Sequence, residues 1–130
     1  MVDQTAAALD SVTEDFGHVL RGSPAGLARP RAPEDVADVV REAVSSGSKL
    51  TLRGAGHSAG GQALPVDSIV VDLSRLNRVG SVDPERRTVH CQAGALLRDV
   101  VAATLEHQLL PRALTNLLDL SAGPRRVEGG

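Results

Sequence analysis

The residues with the clearest chemical potential form one run, Arg53-Gly54-Ala55-Gly56-His57-Ser58-Ala59-Gly60-Gly61-Gln62. Four glycines in ten residues let the backbone take positive φ and let a ligand approach the main chain closely. Successive N–H groups in such a turn make a concave anion cradle, suited to phosphate or pyrophosphate. Arg53, Ser58 and Gln62 add side-chain donors, and His57 adds an imidazole that is nucleophilic when neutral. No Gly-Lys-Ser/Thr follows, as a P-loop needs, and no GxGxxG leads into a helix. Residues 54–68 have no helical period, so a helix dipole is not the anion-binding device. A Gly-rich stretch alone equally describes a plain surface loop. What favours a site is context, because a strand runs directly into the stretch and another strand-like run resumes at Ile69.

Elsewhere the reactive residue types read as ordinary. His18, His90 and His107 have no helical metal spacing with a carboxylate, and His90 falls on the polar side of its strand. His107 sits near a helix C-terminus, where a cation is mildly favoured. Cys91, the single cysteine, has no internal disulfide partner and is expected to be a small buried hydrophobe.

The elements that must hold the loop are legible from periodicity. Residues 5–16 have a loose helical face of Ala6, Ala7, Leu9, Val12 and Phe16. Pro24 and Pro30 oppose helix, so Ala25 to Pro30 is expected to be extended. Pro33 suits a first helical turn, with Glu34 and Asp35 at the positive end of the dipole. Val36, Val39, Val40, Ala43 and Val44 then form one stripe, and Ser45-Ser46-Gly47 ends it. Leu50 to Leu52, Ile69 to Leu73, Val79 to Val82 and Thr88 to Gln92 read as strands, with a turn at Asp83-Pro84-Glu85. A last helix carries Leu97, Val100, Val101, Thr104 and Leu105. This order predicts an α/β (α+β) fold, with a small mixed or parallel sheet flanked by helices and an incomplete second lobe. The helix from Glu34 is expected to be a right-handed crossover between parallel strands, its valines covering the sheet.

Composition narrows the function classes. The chain has 130 residues, 14 basic against 16 acidic, and one aromatic, Phe16. With neither a basic patch nor stacking platforms, nucleic acid is not an expected partner. No apolar run reaches membrane-spanning length, and the N-terminus lacks the basic and apolar regions of a signal peptide. The expectation is a cytoplasmic chain with no membrane partner and no metal site.

Several segments, taken in order, resemble one family. These are Pro33-Glu34-Asp35-Val36-Ala37 after Pro30, Leu52 to Ser58, and Val71-Asp72-Leu73-Ser74-Arg75-Leu76-Asn77. Ala93-Gly94, Ala103-Thr104-Leu105-Glu106-His107 and Leu110-Pro111 follow. Together they resemble the FAD-binding domain of the vanillyl-alcohol oxidase/p-cresol methylhydroxylase family, over 25–123. Within it, Gly-His-Ser-x-x-Gly-Gln and Leu114 to Ser121 are most similar to cytokinin dehydrogenases. The resemblance divides the chain into an N-terminal helical segment (1–24), the N-terminal portion of that domain (25–123) and a divergent tail (124–130).

The resemblance implies FAD as cofactor, cradled by Arg53, Gly54, Ala55 and Gly56, with Ser58, Gln62, Asn116 and Ser121 at further contact positions. His57 stands where cytokinin dehydrogenases bond the histidine ring to the flavin methyl carbon. The implied activity is hydride transfer from a small organic substrate, a cytokinin-like amine or alcohol, to the flavin. At the family's catalytic aspartate, in Thr-Asp-Tyr-Leu, this chain has Thr115-Asn116-Leu117-Leu118. Asn116 can orient an amine but cannot take a proton as a carboxylate does. Asp119, three residues on, reads as a turn carboxylate. The family's later Gly-Gly-Thr-Leu-Ser stretch is replaced after Gly123 by Pro124-Arg125-Arg126, so the chain resembles an N-terminal piece of an oxidase. The other reading from the same residues is a non-catalytic remnant, a weak nucleotide-binding or interaction module that self-associates through an uncovered surface.

Overall fold

The computed structural model describes residues Met1 to Gly123; the divergent tail, 124–130, lies outside the described residues. Eight elements follow in the order the periodicity predicts: α1 (Ala6–Asp10), β1 (Ser23–Ala28), α2 (Pro33–Ser46), β2 (Lys49–Arg53), β3 (Val66–Asp72), β4 (Val79–Asp83), β5 (Thr88–Cys91) and α3 (Leu97–Leu105). β1, β3 and β2 form a parallel sheet in that order, while β4 and β5 pair antiparallel in a second, two-stranded sheet. The expected α/β class holds.

β3 is the axis of the molecule. Its run of apolar residues is buried on both faces, as a central parallel strand requires. Ile69 and Val71 face one way and join Ala28, Val39, Leu73 and Leu76, with Val36, Leu50 and Ala93 packed at the margin. Val70 faces the other way and joins Leu27, Ala8 and Val12. A core of small aliphatic residues is therefore built on both sides of one strand, without an aromatic.

α2 links β1 to β2, which are both parallel to β3 but not adjacent, because β3 inserts between them. The Asp35 carboxylate accepts the N–H groups of Arg31 and Ala32 at 2.8 and 3.0 Å and fixes the chain ahead of the helix. Those two bonds, Arg31 first, hold its carboxyl below the usual range. Only Val39 and Ala43 of the predicted stripe are buried, while Val40 and Val44 face outward. The arc that contacts one face of a three-stranded sheet is narrower than the valine stripe.

The predicted helix over 5–16 closes after Asp10. The Ser11 and Thr13 hydroxyls donate to the carbonyls of Ala8 and Leu9 at 2.6 and 2.7 Å, and His18 takes a positive φ of 54°. Local side-chain bonding of this kind competes with helix continuation. Residues 13–22 instead fold as a small hairpin, closed by Gly22 N–H to Thr13 carbonyl at 2.7 Å and Asp15 N–H to Leu20 carbonyl at 3.2 Å. Cys91, expected in the core, is exposed: it shares a strand face with the half-buried Val89 but sits at the end of β5 in a sheet of only two strands.

Candidate functional site

The glycine-rich run is a loop between β2 and β3. β2 delivers it at Arg53, paired in register with Asp72 and closed by Leu73 N–H to Arg53 carbonyl at 2.9 Å. The loop returns through Gly61, whose carbonyl accepts the Leu64 N–H, to the buried Pro65. Gly56, Gly60 and Gly61 have φ of 77°, 91° and 83°. A side chain at Gly56 would meet the Arg53 guanidinium at 2.8 Å, so the loop's curvature depends on glycine there. Among the described residues the N–H groups of Gly56, His57, Ser58 and Ala59 have no protein acceptor. Backbone donors left open on one curved segment are what an anion needs.

Two other segments close on this loop. The first is the stretch after α3. The opening N–H groups of that helix, Leu97 and Arg98, donate to the carbonyls of Leu120 and Leu118 at 2.9 Å each, which supplies the cap that Leu96 cannot. This clasp delivers Ser121, buried, to the loop, where its Oγ accepts the Ala55 N–H at 3.3 Å and donates to the Gly123 carbonyl at 3.1 Å. Gly54 to Ser58, Leu120, Ser121 and Gly123 then line one open cleft.

The second is the hairpin 13–22. Phe16 donates its N–H to the Ser58 carbonyl at 3.2 Å, and its ring lies 4.8 Å from that of His57, 31° between planes. The buried Asp15 carboxylate accepts the N–H groups of Val19 and Leu20 at 3.0 and 3.2 Å. The Leu20 bond first, then those of Val19 and Gly60, hold it below the usual carboxylate range despite burial. Neither residue is signalled by spacing: periodicity assigns Phe16 to a helix face, and Asp15 has no motif. Only the oddity of a lone aromatic beside a glycine marks the place.

The structure brings the predicted residues together unevenly. Gly54, Ala55, Gly56, His57, Ser58 and Ser121 share the cleft, and the exposed Gln62 holds its amide over Gly60. Arg53 is turned inward, with its Nη1 donating to the Glu14 carbonyl at 3.4 Å, so its guanidinium braces the loop from beneath. Asn116 is exposed and outside the cleft lining. Asp119 is paired with Arg98 rather than turned to the cleft. The Nδ1 of His57 is buried and has no hydrogen-bond partner among the described residues. A dry, unpaired imidazole nitrogen is costly unless a ligand takes it up.

Comparison with known proteins gives this geometry its context. A family model described as FAD binding domain matches residues 24–121. The chain is 35% identical to cytokinin dehydrogenase 10 of Oryza sativa subsp. japonica over 125 residues, covering 89% of this chain and 23% of the rice protein. It is 35% identical to an uncharacterised oxidoreductase in the fasciation locus of Rhodococcoides fascians, covering 94% of this chain and 27% of that protein. An uncharacterised FAD-linked oxidoreductase of Mycobacterium tuberculosis is 33% identical, covering 88% of this chain and 26% of its own length. The chain thus spans about a quarter of the curated relatives it matches.

Proposed function

Since the chain belongs to the FAD binding domain family, we propose that it holds FAD with the loop Arg53–Gln62, as part of an FAD-linked oxidoreductase. The observation that carries this reading is the set of open N–H groups from Gly56 to Ala59, gathered at positive-φ glycines beside the orphaned Nδ1 of His57. The residues present fit the cofactor. The main chain of Gly56 to Ala59 takes the pyrophosphate, with Ser58 as a side-chain donor. Ser121 holds the Ala55 end of the loop in place, and Arg53 supports the curvature from behind while adding positive charge. His57 is the point of covalent attachment, because its uncommitted nitrogen lies on the same loop. When bound, FAD supplies a two-electron acceptor for hydride; the protein supplies binding and orientation.

The substrate reading is narrower. Four rice relatives among those matched are cytokinin dehydrogenases by name, which supports a small amine or alcohol as hydride donor. Asn116, which lies outside the cleft lining, has no carboxylate to accept a proton from such a substrate.

The test uses the chain with added FAD. Wild type should gain thermal stability and quench flavin fluorescence, and Gly56→Ala should bind at least about tenfold more weakly, because its Cβ strains a positive-φ position against Arg53. A wild-type protein that neither gains stability nor quenches flavin at millimolar FAD overturns the reading. For the linkage, acid-precipitated wild-type protein should keep flavin absorbance in the pellet and His57→Ala should lose it. A colourless wild-type pellet with binding intact overturns the covalent step alone.

A further inference from the structure

Residues 13–22 lie ahead of the stretch matched to the family, yet three consecutive residues of this hairpin each engage the glycine loop. The Glu14 carbonyl accepts the Arg53 guanidinium, the Asp15 carboxylate is acted on by the Gly60 N–H, and Phe16 bonds Ser58 through its backbone while its ring stacks on His57. Phe16 is the one aromatic in the chain and is 55% exposed. Its ring is therefore not in place to fill the core, which is complete without it on both faces of β3. On the imidazole side, a ring free to rotate would give its Nδ1 to water, whereas here that atom is buried and unpaired. Something must hold the ring against that gain, and the aromatic face at 4.8 Å is the group in contact with it.

We propose that Phe16 is a positioning residue for His57: the hairpin 13–22, anchored through Asp15, presses the phenyl ring on the imidazole, fixes its rotamer and keeps Nδ1 dry and uncommitted for the ligand. That the ligand is FAD rests on the function proposed above; that Phe16 sets the state of His57 does not. A tilted aromatic pair at this spacing restricts rotation of the imidazole without taking either nitrogen. A neutral imidazole has one nitrogen bearing the proton and the other a free lone pair.

The test has two readouts on the whole chain. The first is the ring nitrogen resonances of His57 in histidine-labelled protein, assigned by His57→Gln. Phe16→Leu should move Nδ1 toward the value of a water-bonded nitrogen, while Phe16→Tyr should leave it near wild type. The amide resonances of Val70 and Val71 serve as the folding control and should stay fixed. The second readout is FAD affinity, which should fall about 3- to 10-fold in Phe16→Leu and stay within about twofold in Phe16→Tyr. The proposal is overturned if Phe16→Leu leaves the His57 nitrogens at their wild-type positions, or if Phe16→Tyr displaces them equally. If wild type binds no FAD, the cofactor reading fails while the nitrogen resonances still decide the role of Phe16.

Discussion

The two halves of the molecule bury their apolar residues very differently. Around β3 the residues Leu27, Ala28, Val70 and Val71 are each 1% exposed, and helical segments cover both sheet faces. Around α3 and the segment after it, Val100 and Thr104 are buried, while Leu105, Leu110, Leu114, Leu117 and Leu118 face outward. The glycine loop is set where these halves meet: β2 and β3 supply its ends and Ser121 its far clasp. One half therefore behaves as a rigid mount, and the other as a jaw whose outer apolar side is open among the described residues. A loop with uncommitted donors needs such a mount, since its own backbone bonds do not define its shape.

The largest expected effect falls where the halves touch. Gly94 donates its N–H to the Leu76 carbonyl at 2.7 Å, and a Cβ there would overlap the Leu73 carbonyl oxygen and lie 2.9 Å from that of Leu76. Both obstacles are backbone and cannot swing aside. Gly94→Ala should cost about 3 kcal/mol or more in urea unfolding. A cost under about 1 kcal/mol would mean the halves are not apposed as described.

Next comes a paired measurement on the contrast itself. Val71→Ala removes two buried methyl groups at the centre of the larger cluster and should cost about 2–3 kcal/mol. Leu117→Ala, on a side chain 52% exposed, should change stability by less than about 0.5 kcal/mol. Equal costs would break the comparison, because they would require the outer face of the jaw to be covered in solution, for instance by a second copy of the chain.

The mount was far more legible in the sequence than the site. Val36, Val39 and Ala43 have helical period, and Ile69 to Leu73 is a continuous apolar run, so α2 and β3 follow from pattern alone. The loop is legible because four glycines between strands have few other uses. What periodicity could not reach are contacts made by single residues across long separations: Ser121 on Ala55, 66 residues apart, and Phe16 on His57. It also misreads residues 5–16, where Ala6, Leu9, Val12 and Phe16 fit a helical face by spacing but the intervening Ser11 and Thr13 turn their hydroxyls back on the chain. Arg53 shows the limit in the other direction. Its type and place suggest a phosphate donor, yet the Glu14 carbonyl, brought in by the hairpin, takes its guanidinium.

The smallest effect sharpens the comparison through pH. The two aliphatic clusters around β3 contain no ionisable group, so their packing is indifferent to acid, whereas the hairpin that grips the loop is pinned by the Asp15 carboxylate. Amide bonds, that of Leu20 first, depress its folded-state pKa, while the unfolded chain takes up its proton near the ordinary aspartate value of about 3.9. The unfolded state therefore binds protons first as pH falls. The contribution of Asp15 is complete above that value and is lost as pH drops through the lower folded one. His18 pairs at 2.6 Å with Glu14, and Arg21 holds Glu14 from the other side at 2.9 Å, so the Glu14 carboxyl, like that of Asp15, is held below its usual range, the His18 bond first. The amide resonance of Leu20 should titrate with a midpoint below the ordinary aspartate range, while those of Val70 and Val71 stay flat over the same interval. Asp15→Asn should abolish the Leu20 titration and make the acid limb of the stability curve shallower. A Leu20 midpoint at or above the ordinary value would show that the carboxylate does not hold the hairpin, and the loop would then depend on Ser121 and Arg53 for its shape.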